Sequence, residues 1–353
     1  MRAPKTEPTH AFLRACFGLP TDYTPTWIMR QAGRYLPEYR AVRSKVSFLE
    51  LCQTPELAAE VTLQPIDRLG VDAAILFSDI LPPAQAMGLD LSFEGGPPKI
   101  SPPVRSQADV DRLVVPDPTE GLGYVLDAVR LIRRELNDRV PLIGFCGAPF
   151  TMASYMVEGG GTKSFAHLKG LIFGQPKVYT ALMDKIADTT AAYLNAQIEA
   201  GAQAVQIFDS WAGALSPEDF RTFALPWVQR VIEQLKGEDV PVIYFVGEAG
   251  TLLEAMGEAG ADVLGVDWRV PMSEVLERVG PDQAIQGNLD PCTLFAPIPE
   301  IERRAGALLE TVGARPGHIF NLGHGILPQV DPDHAKALVD FVHQRSRELR
   351  AHP

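Results

Sequence analysis

This sequence has little cysteine, no excess of positive charge and no long hydrophobic run, and each shortage removes a class of protein. Its four cysteines (Cys16, Cys52, Cys146 and Cys292) stand far apart, with no C-x-x-C pair. They form neither a disulfide framework nor a zinc-ribbon spacing, and they read as small buried thiols in a reducing cytosol. With 32 basic residues against 44 acidic ones the net charge is −12 at pH 7, which argues against nucleic acid and anionic membrane as partners. No apolar run reaches the roughly 20 residues that span a bilayer. Residues 1–10 carry no apolar core of an export signal, so a cytoplasmic location is expected.

The cofactor and metal signatures are missing too. There is no G-x-G-x-x-G opening a strand–helix unit and no G-x-x-x-x-G-K-[ST] phosphate loop. Gly159-Gly160-Gly161-Thr162-Lys163 has the composition of a phosphate cradle, but no strand immediately precedes it. The seven histidines include no H-x-H or H-E-x-x-H, and no G-x-S-x-G elbow marks a nucleophilic serine. No lysine follows a strand where it could form a Schiff base. The expectation is an enzyme or binding protein with no cofactor and no metal.

What is present begins with Met29-Arg30-Gln31-Ala32-Gly33-Arg34-Tyr35-Leu36-Pro37-Glu38-Tyr39-Arg40, after an apolar run at 25–29 that reads as a strand. Two guanidiniums on a tight loop around Gly33 form a fork for carboxylates or phosphates, because each donates two parallel hydrogen bonds. They could equally be structural, bridging Glu38 and Glu50. In an acidic protein this loop is the best place to concentrate positive charge for a polyanionic ligand.

Apolar strand-like runs then recur at 72–77, 140–145, 204–208, 242–246, 263–266, 284–286 and 318–322, eight with the first. Helical patterns separate them, at about 55–69, 121–136, 175–200, 217–235, 251–257, 272–279 and 298–312, with a last one at 333–349. A short helix at 10–17, capped by Thr9, precedes them. Near-continuous apolar strands alternating with helices mean parallel pairing covered on both faces. The fold class is therefore α/β, a single (β/α)8 TIM barrel over 1–353, with residues 1–24 as an N-terminal helical extension. An open doubly wound sheet is the alternative. Arg30, Asp79, Ser210, Asp267, Asn288 and His324 each fall just past the carboxyl end of a run, where barrels build their sites. The proline-rich stretch 93–118 reads as an excursion outside the barrel.

Several of these residues have two readings. Asp79, in Phe77-Ser78-Asp79-Ile80-Leu81, is either a cap for the helix that follows or a carboxylate at the floor of a cavity. Tyr155 lies between a strand-end turn and three glycines that suit a mobile loop, and it packs or points into a site. Ser210, in Phe208-Asp209-Ser210-Trp211-Ala212-Gly213, offers a hydroxyl at a strand end. His324, between Gly323 and Gly325, has an unobstructed ring suited to facing a ligand.

Taken in order, these motifs resemble the uroporphyrinogen decarboxylases over essentially the whole chain. The resemblance is carried by the Arg30 loop, Phe77-Ser78-Asp79-Ile80-Leu81, Gly144-Phe145-Cys146-Gly147-Ala148-Pro149-Phe150-Thr151, Tyr155-Met156-Val157-Glu158-Gly159, Phe208-Asp209-Ser210-Trp211-Ala212-Gly213, Gln286-Gly287-Asn288-Leu289-Asp290 and Asn321-Leu322-Gly323-His324-Gly325. It implies a homodimeric (β/α)8 barrel that needs no cofactor or metal. The implied reaction removes carbon dioxide from the four acetate side chains of uroporphyrinogen III to give coproporphyrinogen III on the route to haem. It implies that Asp79 meets the pyrrole N–H groups and that Arg30, Gln31, Ala32, Gly33 and Arg34 form a carboxylate-binding loop. Tyr155, Ser210 and His324 are the other implied contacts, Ser210 at a position where the family uses Ser or Thr. Asp79, Arg30 and His324 are the catalytic candidates, with Arg30, His324 or a water as proton donor. Two alternatives remain: a related zinc- and corrinoid-linked methyltransferase, and a tetrapyrrole carrier without catalysis. The first expects a His-x-Cys where this chain has Tyr244-Phe245-Val246-Gly247, and a later cysteine where it has His324.

Overall fold

Strands buried at every position anchor the architecture: β4 Leu142–Gly147, β5 Ala204–Asp209 and β6 Val242–Val246 show no exposed residue, as parallel strands covered on both faces require. The computed structural model describes residues 3–93 and 96–351. With β1 Ala74–Ile75, β7 Val263–Gly265, β8 Ala284–Gln286 and β9 His318–Ile319 these strands make one parallel sheet in the order β1-β4-β5-β6-β7-β8-β9. Strands β2 Asp90–Ser92 and β3 Lys99–Ser101 form a separate antiparallel pair, β3 within the proline-rich stretch and β2 just before it. Because the sheet is parallel, every carboxyl end emerges on one side.

The sheet is curled. Gln206 on β5 and Gln286 on β8 are not on neighbouring strands of the sheet, yet Gln286 Nε2 donates to Gln206 Oε1 at 3.1 Å. Trp27 Nε1 donates in turn to Gln286 Oε1 at 2.8 Å, so one chain of buried polar groups crosses the enclosed space. Segment 25–28 lies between the two ends of the sheet. Thr26 forms a parallel bridge with Phe320 beyond β9, Phe320 N donates to Pro25 O, and Asp72 N, just before β1, donates to Thr26 O at 2.8 Å.

A regular strand was expected at 25–29, and the structure has a single bridge there instead. Side chains have taken the N–H groups that a ladder would use: Asp72 Oδ2 accepts from Thr26 N, Gln31 Oε1 from Ile28 N, and Asn321 Oδ1 from Met29 N. The same substitution shortens β1, where Phe77 N donates to Thr62 Oγ1. Asp72 also accepts from Tyr23 OH at 2.6 Å and lies 2.7 Å from His343 Nε2, joining the first residues, the sheet and the last helix Pro332–Ala351.

The helices follow the expected pattern with local corrections. Pro55–Leu69 stops at Gly70, which is left-handed at φ 72°. The helix expected over 217–235 is two, Pro217–Phe223 and Leu225–Glu233, because Pro226 has no N–H to continue the first. The first helix, Ala11–Cys16, has His10 rather than Thr9 at its cap, with no side-chain capping bond. Its buried Phe12, Leu13, Ala15 and Cys16 join the main core, and this packing supplies what the missing cap does not.

Candidate active site

The carboxyl ends of the strands gather most of the flagged residues on one side. Arg30 has φ 64°, a left-handed backbone that is unusual outside glycine and throws the chain into a sharp turn. Gly33 completes that turn: a Cβ there would stand 2.8 Å from the carbonyl oxygen of Arg30. Arg40 Nη1 donates to Arg34 O and Tyr35 O, and Tyr35 OH donates to Gln31 O, so the loop is held from beneath. The two arginines themselves are free. Every other arginine among the described residues has a hydrogen bond or ion pair for its side chain, whereas Arg30 and Arg34, both exposed, have neither. No bridge to Glu38 or Glu50 forms; Glu50 instead completes a capping box with Ser47.

Gln31 differs from its neighbours. It is fully buried, its Oε1 accepting from Ile28 N and its Nε2 donating to Ala73 O at 2.9 Å. Both ends of its amide therefore serve the loop. Ala32 is half-buried, as is Gly33.

The cap expected at Asp79 falls instead to Leu81, and helix Pro82–Ala86 has no side-chain cap. Asp79 Oδ1 accepts from Leu81 N at 2.9 Å, which shapes the turn before that helix. The residue keeps some contact with solvent, while the carboxyl sits deep enough for desolvation to raise its pKa above the usual carboxylate range. The N–H groups of Leu81 and Ile80 and the positive charge of Arg30 oppose that rise. The field of Asp79 reaches Tyr155 as well, and that of Arg30 reaches both Tyr155 and His324, so these four share one space.

Tyr155 projects from helix Pro149–Glu158 and packs edge-on against Trp211, ring centroids 6.0 Å apart. Burial raises its hydroxyl pKa, and a hydrogen bond with Trp211 works the other way. Ser210, half-buried, follows β5 directly. Beneath it Asp209 is fully buried and accepts from Thr151 Oγ1 at 2.7 Å and Tyr244 OH at 2.8 Å; desolvation lifts its pKa to about 6. Thr151 Oγ1 also accepts from Trp211 N, so this buried carboxylate fixes the loop that carries Ser210 and Trp211.

His324 accepts a hydrogen bond at Nδ1 from Gly325 N at 2.7 Å, which leaves the proton of the neutral ring on Nε2. Burial first, then repulsion by Arg30 and Arg269, hold its pKa down to about 4. At neutral pH it is an uncharged donor. Asp267 and Asn288, flagged for their strand-end positions, turn away into support. Asp267 accepts from Arg269 and Glu248 N, and Asn288 Nδ2 donates to Asp267 O and Val270 O.

Sequence reasoning missed an arc of rings along the inner wall: Phe145 and Phe208 at 5.6 Å, Phe208 and Phe245 at 6.0 Å, Phe245 and His324 at 6.1 Å. Each phenylalanine stands at or near the carboxyl end of its strand, and that placement was the available signal. The three-glycine loop is tied down as well: Ile100 N donates to Gly159 O at 3.0 Å, and Lys99 forms an antiparallel bridge with Gly160. Among the described residues no three His, Cys, Asp or Glu side chains are grouped to hold a metal ion, and no helix is long and apolar enough to cross a membrane.

Comparison with known proteins identifies the family. Residues 7–345 match the family model for uroporphyrinogen decarboxylase (URO-D). A uroporphyrinogen decarboxylase of Geobacter metallireducens is 57% identical over 337 residues, 96% of this chain and 99% of the relative. That of Myxococcus xanthus is 55% identical over 338 residues, 96% and 97% of the two chains. A solved methyltransferase from Methanosarcina mazei has a TM-score of 0.80 over 95% of this chain and 97% of its own, at 22% identity, which is a likeness of fold alone. By sequence over nearly its full length, this chain belongs to the uroporphyrinogen decarboxylase family.

Proposed function

We propose that this protein is a carboxy-lyase that converts the four acetate side chains of uroporphyrinogen III to methyl groups, giving coproporphyrinogen III and four molecules of carbon dioxide in porphyrin and haem biosynthesis. The observation that carries the reading is the loop with two exposed arginines, Arg30 and Arg34, unpaired among the described residues, with the charge of Arg30 reaching the carboxyl of Asp79, in an otherwise acidic chain. A substrate with eight carboxylates needs cations at its edge, and free arginines bind them bidentately.

The chemistry follows from the pyrrole. Protonation at a ring carbon next to the acetate-bearing carbon makes the ring a cation. The bond to the carboxylate then breaks, its electron pair neutralises the ring, and carbon dioxide leaves behind an exocyclic methylene. A proton added to that methylene makes the methyl group, and loss of the ring-carbon proton restores the aromatic pyrrole. Because the ring is its own electron sink, the step asks for no carbanion-stabilising cofactor.

In this reading Asp79 accepts from the pyrrole N–H groups and stabilises the ring cation more than the neutral ring; only such differential binding accelerates the step. Arg30 and Arg34 hold carboxylates, and Gln31, Ala32 and Gly33 shape their loop. Tyr155 and Ser210 offer hydroxyls to the substrate, and neutral His324 offers its Nε2–H. A guanidinium is poorly suited to giving up a proton, so we assign the proton to a water that Arg30 orients. The curled sheet, with segment 25–28 between its ends, is read as a closed (β/α)8 barrel, one domain over 1–353 with residues 1–24 as an extension, acting in the cytoplasm as a homodimer. Anaerobic incubation with uroporphyrinogen, followed by chromatography, tests the activity. Seven-, six-, five- and four-carboxylate products should appear in succession; binding without them would leave only a tetrapyrrole carrier.

A further inference from the structure

Gly325 is glycine for a reason other than its backbone. It is absent from the glycines with positive φ, so an L-residue could adopt its conformation. What a side chain would meet is specific: the three heavy atoms nearest to an added Cβ all belong to the side chain of Arg30, with Cγ at 2.7 Å and Nε at 2.8 Å. The stem of Arg30 thus runs through the space that a methyl group at 325 would fill. The two segments are held in register by Ile326 N, which donates to Met29 O at 2.9 Å. The Arg30 side chain has no hydrogen bond or ion pair with a described residue. Gly323, two residues earlier, is different: a Cβ there would run into the backbone of Asp267 and Trp268, which cannot move aside.

We propose that Gly325 is a positioning residue for Arg30: the groove left by its missing side chain aims the guanidinium into the site. The left-handed turn at Arg30 sets the direction of departure, and the bare backbone at 325 sets the path. The consequence for turnover rests on the functional reading of Arg30; the geometric claim does not. Alanine at 325 keeps the backbone N–H that bonds His324 Nδ1, so the histidine tautomer is untouched. It pushes a flexible side chain aside rather than breaking the fold. A shift of about 1 Å in a substrate-holding group lowers catalytic efficiency by on the order of 100-fold.

The test combines Gly325→Ala, Arg30→Ala and the double variant, assayed for kcat/KM with uroporphyrinogen and for thermal unfolding. Gly325→Ala should lose about 100-fold in the wild-type background and less than about 3-fold in the Arg30→Ala background, with its melting temperature unchanged. Equal losses in both backgrounds, or no loss in the first when Arg30→Ala itself loses activity, would overturn the proposal. If Arg30→Ala itself leaves kcat/KM unchanged, the functional reading of Arg30 fails. A crystal structure of Gly325→Ala then decides the geometric claim: a displaced guanidinium upholds it and an unmoved one refutes it. Should Gly325→Ala fail to fold, the double variant, which lacks the clash, must fold; misfolding of both also refutes it.

Discussion

Replacing Asp79 by asparagine separates charge from shape at the floor of the site. The amide oxygen of the new side chain can still accept from Leu81 N, now 2.9 Å from Asp79 Oδ1, so the turn before helix Pro82–Ala86 is retained. The negative charge that would meet the ring cation is lost. Removing one preorganised electrostatic partner of a developing charge lowers the rate by about 10²- to 10³-fold, or roughly 3–4 kcal/mol of barrier. Binding of the neutral-ring product should weaken far less, since it has no cation to stabilise. Stability should move the other way. The carboxyl of Asp79 has its pKa raised by burial, so at neutral pH holding it ionised works against the folded state, and the Asp79→Asn variant should melt no lower than the parent. Anaerobic single-turnover quench, with products separated by carboxylate number, measures the rate; titration with coproporphyrinogen measures binding. A single-turnover rate within about 3-fold of the parent would refute the electrostatic role.

Other perturbations follow from the same geometry. Arg34→Ala should weaken substrate binding by about 10- to 100-fold, the worth of hydrogen bonds to a charged group, and leave thermal stability unchanged because Arg34 makes no ion pair with a described residue; a drop in melting temperature would show a structural role. His324→Asn should lower kcat/KM yet keep the acid limb of the pH–rate profile, because an imidazole titrating at about 4 is already neutral in the working range; loss of that limb would make His324 the acid. His318 is buried against Gly287 O, and its pKa is likewise held down to about 4 from 6.5. Above pH 6.5 it is neutral folded or unfolded and contributes nothing; as pH falls towards 4 the unfolded chain takes the proton first, so up to about 3 kcal/mol of stability should be lost, and urea unfolding of the parent against His318→Gln across that range reads it.

Much of this site was legible before any coordinates, and the reasons are specific. Strand ends in a parallel sheet all face one way, so polar residues after apolar runs converge whatever the exact boundaries. That placed Arg30, Asp79, Ser210 and His324 on one side, although the runs at 25–29, 72–77 and 318–322 were too long as strands. Their lengths failed because side chains compete for backbone N–H groups. Gln31 acts from three residues away, but Asp72, Asn321 and Thr62 act from 15 to 292 residues away in sequence, where no local pattern reports them. The direction of a side chain was also invisible. Gln31 and Asn288 sit within site motifs yet spend their amides on backbone groups, and the burial that lowers the His324 pKa shows in no local pattern. The division of labour between Gly323 and Gly325 could be read only from what lies opposite each.

The most direct test of the central claim is a crystal structure of the protein with coproporphyrinogen bound under anaerobic conditions. Pyrrole nitrogens within hydrogen-bonding distance of Asp79, about 3 Å, with Arg30 and Arg34 on the carboxylates of the same ring system, is the result this account predicts. A tetrapyrrole seated away from Asp79, or with its carboxylates turned from both arginines, would contradict it.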